Sequence, residues 1–268
     1  MEKRIIGLGI AGGFVAGLVT FVYARWQLAP LIADAVDYEE ERSHAAETLV
    51  GGHGHEHSHE VFSRATQENI GSAVGTVAFG VIVGALFAVA LTMVIAALQR
   101  HGRQASLSGM AAATAAAGFV CVAVVPFLAY PANPPGVGLS ETAGDRALTY
   151  LIVLAASLAA AAAALAAGLR LTPRIGAGAG TAASIAGYVA VMTAIVFGMP
   201  SFHEVPEPLS NSDGAIASPG FPAELLADFR LSSLIGQALL WATLGAVTSV
   251  LAPRVLALAT AGVARAGR

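Results

Sequence analysis

The stretch IGSAVGTVAFGVIVGALFAVALTMVIAAL, from Ile70 to Leu98, contains no Asp, Glu, Lys or Arg. A helix exposed to water needs a polar face. An apolar run of this length is therefore read as lipid-solvated, since about 20 residues cross ~30 Å of hydrocarbon at ~1.5 Å per residue. Ile5 to Ala24, Leu107 to Tyr130, Ala147 to Leu169, Ile175 to Met199 and Leu231 to Ala252 are equally free of charge. Strands of a membrane barrel need only about 10 residues. The expected fold is accordingly all-α: a polytopic membrane helix bundle of about six transmembrane helices, with residues 1–268 forming a single membrane domain. Composition agrees, with 56% hydrophobic residues, 12% charged residues and a mean hydropathy of +0.71, where soluble domains carry about 25% charged residues.

Charge placement predicts an orientation. With the N-terminus inside and six alternating spans, Lys3, Arg4, Arg100, Arg103, Arg170, Arg174, Arg254, Arg265 and Arg268 fall on the cytoplasmic side. Arg25, Arg42, Arg64, Arg146 and Arg230 fall outside, a nine to five split with both termini inside. Of the 17 acidic residues only Glu2 falls inside. Acids count little in setting topology, so their segregation suggests an outer face that attracts cations.

Between the first two runs lies an acidic loop, residues 25–69, that contains His53-Gly-His55-Glu-His57-Ser-His59. Alternate residues of an extended chain point the same way, so His53, His55, His57 and His59 could face one ion. Neutral imidazole binds cobalt, nickel, copper and zinc, and the loop reads as an extracytoplasmic metal collector. Pro30 opens a predicted amphipathic helix from Leu31 to Leu49, expected to rest on the membrane with Asp37, Glu40, His44 and Glu47 toward water. Gly51-Gly52 ends it. His44 joins the candidate ligands, as does the pair His203 and Glu204, read as a pore-mouth site in the proline-rich exit from the fifth run. Pro126, in the exit from the third, is expected to free backbone carbonyls.

Several classes are excluded. Cys121 is the only cysteine, so one chain builds no disulfide framework or paired-cysteine metal site, and it reads as a small packing residue. Lys3 is the only lysine, which rules out a Walker A loop and Schiff-base chemistry; an ATPase, if one is used, is another chain. No nucleophile, base and orienting group share a recognised spacing, so no enzyme activity is expected. Nothing points to nucleic acid or to a prosthetic group. Lys3 and Arg4 before the first run imitate a secretory signal, but the run exceeds the ~7 to 15 residues of a signal core. Gly9, Gly13 and Gly17 suit close helix packing in lipid, as do Gly71 with Gly75 and Gly80 with Gly84.

Read in order, Ser63-Arg64-Ala-Thr66-Gln67, Phe127-Leu-Ala-Tyr130-Pro-Ala-Asn133-Pro-Pro, His203-Glu204-Val-Pro206-Glu207, Phe221-Pro-Ala-Glu224-Leu-Leu, Phe229-Arg230-Leu-Ser and Trp241-Ala-Thr-Leu-Gly resemble the CbtA family of predicted cobalt transporter subunits. The resemblance implies uptake of cobalt, as Co2+, across the inner membrane of a prokaryote toward cobalamin synthesis, with a small single-span CbtB-like subunit as partner. Imidazole chemistry alone leaves Ni2+, Zn2+ and copper open. A rival from another class is a membrane-anchored metal-buffering or sensing protein whose helices only hold the loop. Polar positions converging from several helices would favour transport, and a bundle packed shut would favour the rival.

Overall fold

The computed structural model describes residues 2–50 and 70–266. The chain runs α1 (Glu2–Tyr23), a π-helical turn π1 (Ala24–Leu28), α2 (Ala29–Val50), α3 (Ser72–Arg100), α4 (Leu107–Gly118), a second π-helical turn π2 (Phe119–Val124), α5 (Val125–Ala129), α6 (Ala143–Ile175), α7 (Ala177–Gly198) and α8 (Ala223–Ala266). A small antiparallel hairpin of β1 (Leu209–Ser210) and β2 (Ile216–Ser218) lies between α7 and α8. Six of these helical stretches are long and apolar enough to cross a membrane. The expected polytopic bundle is therefore present.

Successive spans alternate in direction, so the loop 101–106 and the α6–α7 turn at Gly176 share one face. The loops 130–142 and 199–222 share the other with α2. Among the described residues every acid except Glu2 lies at this second face, while Lys3, Arg4, Arg100, Arg103, Arg170, Arg174 and Arg254 lie at the first.

The closest helix pair is α1 on α3, and glycine makes it. A Cβ added at Gly13 would overlap the carbonyl oxygen of Gly80, and one at Gly84 would overlap that of Gly9. The backbones touch, which lipid-embedded helices achieve only with small residues. Of the expected stripes, Gly75 departs: it faces open space, because the seam on α3 follows Gly80 and Gly84 instead. α8 closes the other side, with Leu244 and Thr248 against Gly12 of α1 and the Trp241 ring against Gly118 of α4. Ile5, Phe87, Leu91, Leu240 and Leu244 fill the space between. The α6–α7 hairpin stands further out, packing on the rest chiefly through π2 and α5.

Both π turns end just before a proline, for one reason. Pro30 and Pro126 have no N–H to give to the carbonyl four residues back, and their rings crowd it. The preceding residue reaches one residue further instead: Ala29 donates to the Ala24 carbonyl and Val125 to that of Val120. The helix widens without breaking. In π2 the Cys121 carbonyl accepts from the Ser157 hydroxyl at 2.8 Å, and Ser157 pairs with the Tyr188 hydroxyl at 2.7 Å. The carbonyl release expected of Pro126 thus meets a partner inside the bundle.

π1 also changes the reading of residues 31–49. The helix forms, but it continues α1 as one rod instead of lying on the membrane. The middle of its apolar side is covered by protein, Ala35 and Tyr38 being buried with Val137, Phe221 and Leu226, while Ile32 and Leu49 stay exposed.

The glycine seam makes a testable distinction. Gly13→Val or Gly84→Val is expected to destabilise the protein by about 1–3 kcal/mol through overpacking. Gly75→Ala gains up to ~1 kcal/mol of helix propensity in open space. Thermal melts of the purified variants in one detergent should show the midpoint falling for the first two and holding or rising for the third.

Candidate functional site

At the acidic face, α2 and the loops 130–142 and 199–222 fold into a cap over the helix ends. Tyr38 anchors it. Its ring meets Phe221 edge-on with centroids 4.8 Å apart, and its hydroxyl donates to the Pro219 carbonyl at 3.1 Å. One turn on, Arg42 donates to the Glu207 carbonyl at 2.8 Å. The proline-rich exit from α5 is tied in the same way. Tyr130 donates to the Pro200 carbonyl at 2.7 Å, and the Arg230 guanidinium donates to Asn133 Oδ1 at 2.8 Å. These bonds explain why tyrosine and asparagine stand among those prolines: each joins the end of α5 to a different neighbouring span.

Glu204 is a heavily bonded carboxylate of the cap. One oxygen accepts from the Leu139 amide at 2.9 Å and from the Arg146 guanidinium, the other from the Thr142 hydroxyl at 2.7 Å. Its side chain is only 11% exposed. The Leu139 amide first, then the Thr142 hydroxyl and the Arg146 charge, hold its carboxyl below the ordinary value of 4.5. Gly138 is required beside it, since its φ of +109° suits glycine and any Cβ there would strike the Arg146 guanidinium.

The sequence-derived ligands are placed as follows. His44 is exposed on α2, its Nδ1 3.9 Å from Glu47 Oε2, with Asp37 and Glu40 also exposed on the same helix. His203 is exposed at the cap edge. Its neighbour Glu204 turns away to Arg146, and none of the bonds of that carboxylate goes to His203. His53, His55, His57 and His59 lie outside the described residues. Among the described residues no three of His, Cys, Asp and Glu come together as a metal site.

Two groupings escaped the sequence reading. Arg146 and Glu204 are 58 positions apart and unite only because α6 begins where the 199–222 loop returns. The Cys121, Ser157 and Tyr188 grouping joins three spans at mid-depth, and a lone Ser or Tyr in an apolar run carries no periodic signal. Orphaned polar atoms mark the core as well: Thr20 Oγ1, Thr114 Oγ1, Trp241 Nε1 and Thr248 Oγ1 are buried with no hydrogen-bond partner. Open grooves occur on helix surfaces, one of about 480 Å³ lined by Phe21, Val22, Arg25 and Trp26 and one of about 310 Å³ lined by Ala246, Val247, Val250 and Leu251.

Comparison with known proteins gives one match. A family model described as probable cobalt transporter subunit (CbtA) covers residues 2–253 of the chain. No curated protein and no solved structure matches.

The Glu204 cluster carries a pH dependence. Folding lowers this pKa, so the stabilisation it contributes is fully present above about pH 4.5 and is lost as pH falls through the depressed value. Glu204→Gln should flatten the acid side of a plot of melting temperature against pH relative to the native chain. It should leave the neutral side parallel but lower.

Proposed function

The chain belongs to the CbtA family of cobalt transporter subunits, and on that premise we propose that it takes up a divalent transition metal, cobalt first, across the cytoplasmic membrane of a prokaryote. Both termini lie inside and the acidic face lies outside. The work divides into capture, concentration and permeation. Acids of the cap and of α2 raise the local cation concentration. His53, His55, His57 and His59 hold the ion briefly, with His44 on the same arm, and His203 receives it at the cap edge. Glu204, bonded to protein donors, serves by fixing the segment that carries His203. Imidazoles bind a divalent ion reversibly, and protonation near pH ~6 discharges them.

The observation that carries this reading is the family match, spanning residues 2–253. The gathering of every described acid except Glu2 at one face supports it. The description as a subunit implies a partner, and a small single-span CbtB-like chain fits that place. No charged residue interrupts the apolar runs, which argues against an intramembrane proton relay. The membrane potential is a sufficient source. At ~100 mV, inside negative, it contributes ~2.3 kcal/mol per charge, about 4.6 kcal/mol for a divalent ion. At ~1.4 kcal/mol per decade this supports roughly thousandfold accumulation.

A second reading has an observation of its own. Leu91, Leu240 and Leu244 fill the centre of the bundle, as a membrane-anchored metal buffer or sensor would have it. Uptake separates the two. Cells expressing the chain with a single-span partner should accumulate radiolabelled cobalt, and a protonophore that collapses the potential should abolish the gradient. Changing His53, His55, His57 and His59 to Ala should raise the half-saturating cobalt concentration by about tenfold with little change in maximal rate. Absence of accumulation under any pairing, with metal still bound by the purified chain, would establish the buffer.

A further inference from the structure

We propose that the transported ion crosses the membrane along α8, between α1 and α4, past Thr20, Trp241, Thr114 and Thr248, with Leu244 as the plug that closes this route; the inference rests on the transport reading above and supplies its path.

Among the described residues, four buried side-chain polar atoms have no hydrogen-bond partner: Thr20 Oγ1, Thr114 Oγ1, Trp241 Nε1 and Thr248 Oγ1. A serine or threonine inside a helix has a partner close by, the carbonyl four residues earlier. Thr92, Thr149, Thr172 and Ser184 use it here, at 2.7 to 2.8 Å. The three orphaned threonines do not, and hydrocarbon offers nothing in exchange. Where the same seam is only glued, its hydroxyls are paired: at the inner end of the α4–α8 contact, Ser108 and Ser249 donate to each other's carbonyls at 2.7 and 3.0 Å.

Packing sets all four orphans on or beside one helix. Trp241 and Thr248 belong to α8 and are 7% and 1% exposed. Gly236 of α8 meets Tyr23, while Leu244 and Thr248 meet Gly12, so α1 runs antiparallel to α8. Thr20, buried and one turn deeper than Tyr23, therefore stands close to the level of Leu240. On the α4 side, Trp241 meets Gly118 and Gly245 meets Ala115, which sets Thr114 level with Gly245. Thr248 Oγ1 points into the α1–α8 seam, 3.1 Å from where a Cβ on Gly12 would stand. The Trp241 ring meets Gly118 through its six-membered edge, so its N–H is turned away from that contact. Thr20 and Trp241 thus lie on the outer side of Leu244, and Thr114 and Thr248 on its inner side. From Trp241 to Thr248 the climb along α8 is about 10 Å at ~1.5 Å per residue.

A buried polar atom left unpaired costs stability, and valine in place of each threonine would avoid that cost at almost the same shape. The groups become useful once the seam admits water. Threonine hydroxyls then stand in for part of the ion's hydration shell, and the indole N–H of Trp241 donates to a water that the ion carries. No charged side chain lies along the route to trap the ion, so each contact is weak enough to leave. Leu244, fully buried between the outer and inner pairs, is the apolar constriction that keeps the seam dry when closed.

The test uses the full chain expressed with its single-span partner and radiolabelled Co2+ as probe. Thr20→Val and Thr248→Val should each lower the initial rate of uptake about tenfold, the loss of one contact to a charged species. The melting midpoint of each purified variant should hold or rise, because an unpaired polar atom has been taken out of hydrocarbon. Thr92→Val, which removes a hydroxyl bonded within its own helix, should transport as the native chain does. Native rates of uptake in both Thr20→Val and Thr248→Val would overturn the route, and so would a midpoint that falls with either, which would make these hydroxyls structural. Absence of uptake by the native chain with its partner would instead overturn the transport reading itself.

Discussion

Hydrocarbon offers no hydrogen bonds, and that one constraint accounts for most of what this chain does with its backbone. Each span is helical because only a helix pairs its own peptide groups within a single segment. Where a proline removes a donor, at Pro30 and Pro126, the ladder lengthens by one residue and closes again. The Cys121 carbonyl at the second widening finds Ser157 on another span. Chemistry that water would have supplied in a soluble protein is supplied here by a neighbouring helix, so the places where the helices depart from regularity are also where distant segments are joined.

Packing is uneven across the molecule. The seam of Gly9, Gly13, Gly80 and Gly84 brings two backbones into contact, and α8 locks against it through Leu240 and Leu244. At the acidic face, Tyr38, Tyr130, Arg42, Arg230 and the Arg146–Glu204 pair bind the connecting segments to one another. The α6–α7 hairpin is held mainly along one edge. The tight helix contacts are thus concentrated on one side of the bundle, and the hairpin meets them chiefly through π2 and α5.

Much of this was legible in the chain itself. Span number, all-helical class and family followed from runs without charge and from an ordered series of short motifs. The α1–α3 contact followed from glycines four residues apart, although Gly75 showed that spacing alone does not select which stripe is used. The helix of residues 31–49 was legible too, but its continuity with α1 was not: Pro30 reads as a helix start, and a π turn that carries the helix through a proline has no sequence signature. Glu204 was singled out as an acid near a histidine, whereas its partners Leu139, Thr142 and Arg146 lie about sixty positions earlier. The Cys121, Ser157 and Tyr188 grouping was invisible for the same reason. Periodicity reports which side of a helix is apolar; it does not report which spans meet.

Because π1 carries the helix onward, residues 2–50 form a single stiff mast about 70 Å tall at ~1.5 Å per residue. Its foot is set in the glycine seam and its tip adjoins the segment that bears the histidines. Its upper half is also held, because Tyr38 and Arg42 fasten it to the connecting segments. A rod gripped at two heights keeps the cap and the buried helix contacts in one alignment, so neither shifts without the other.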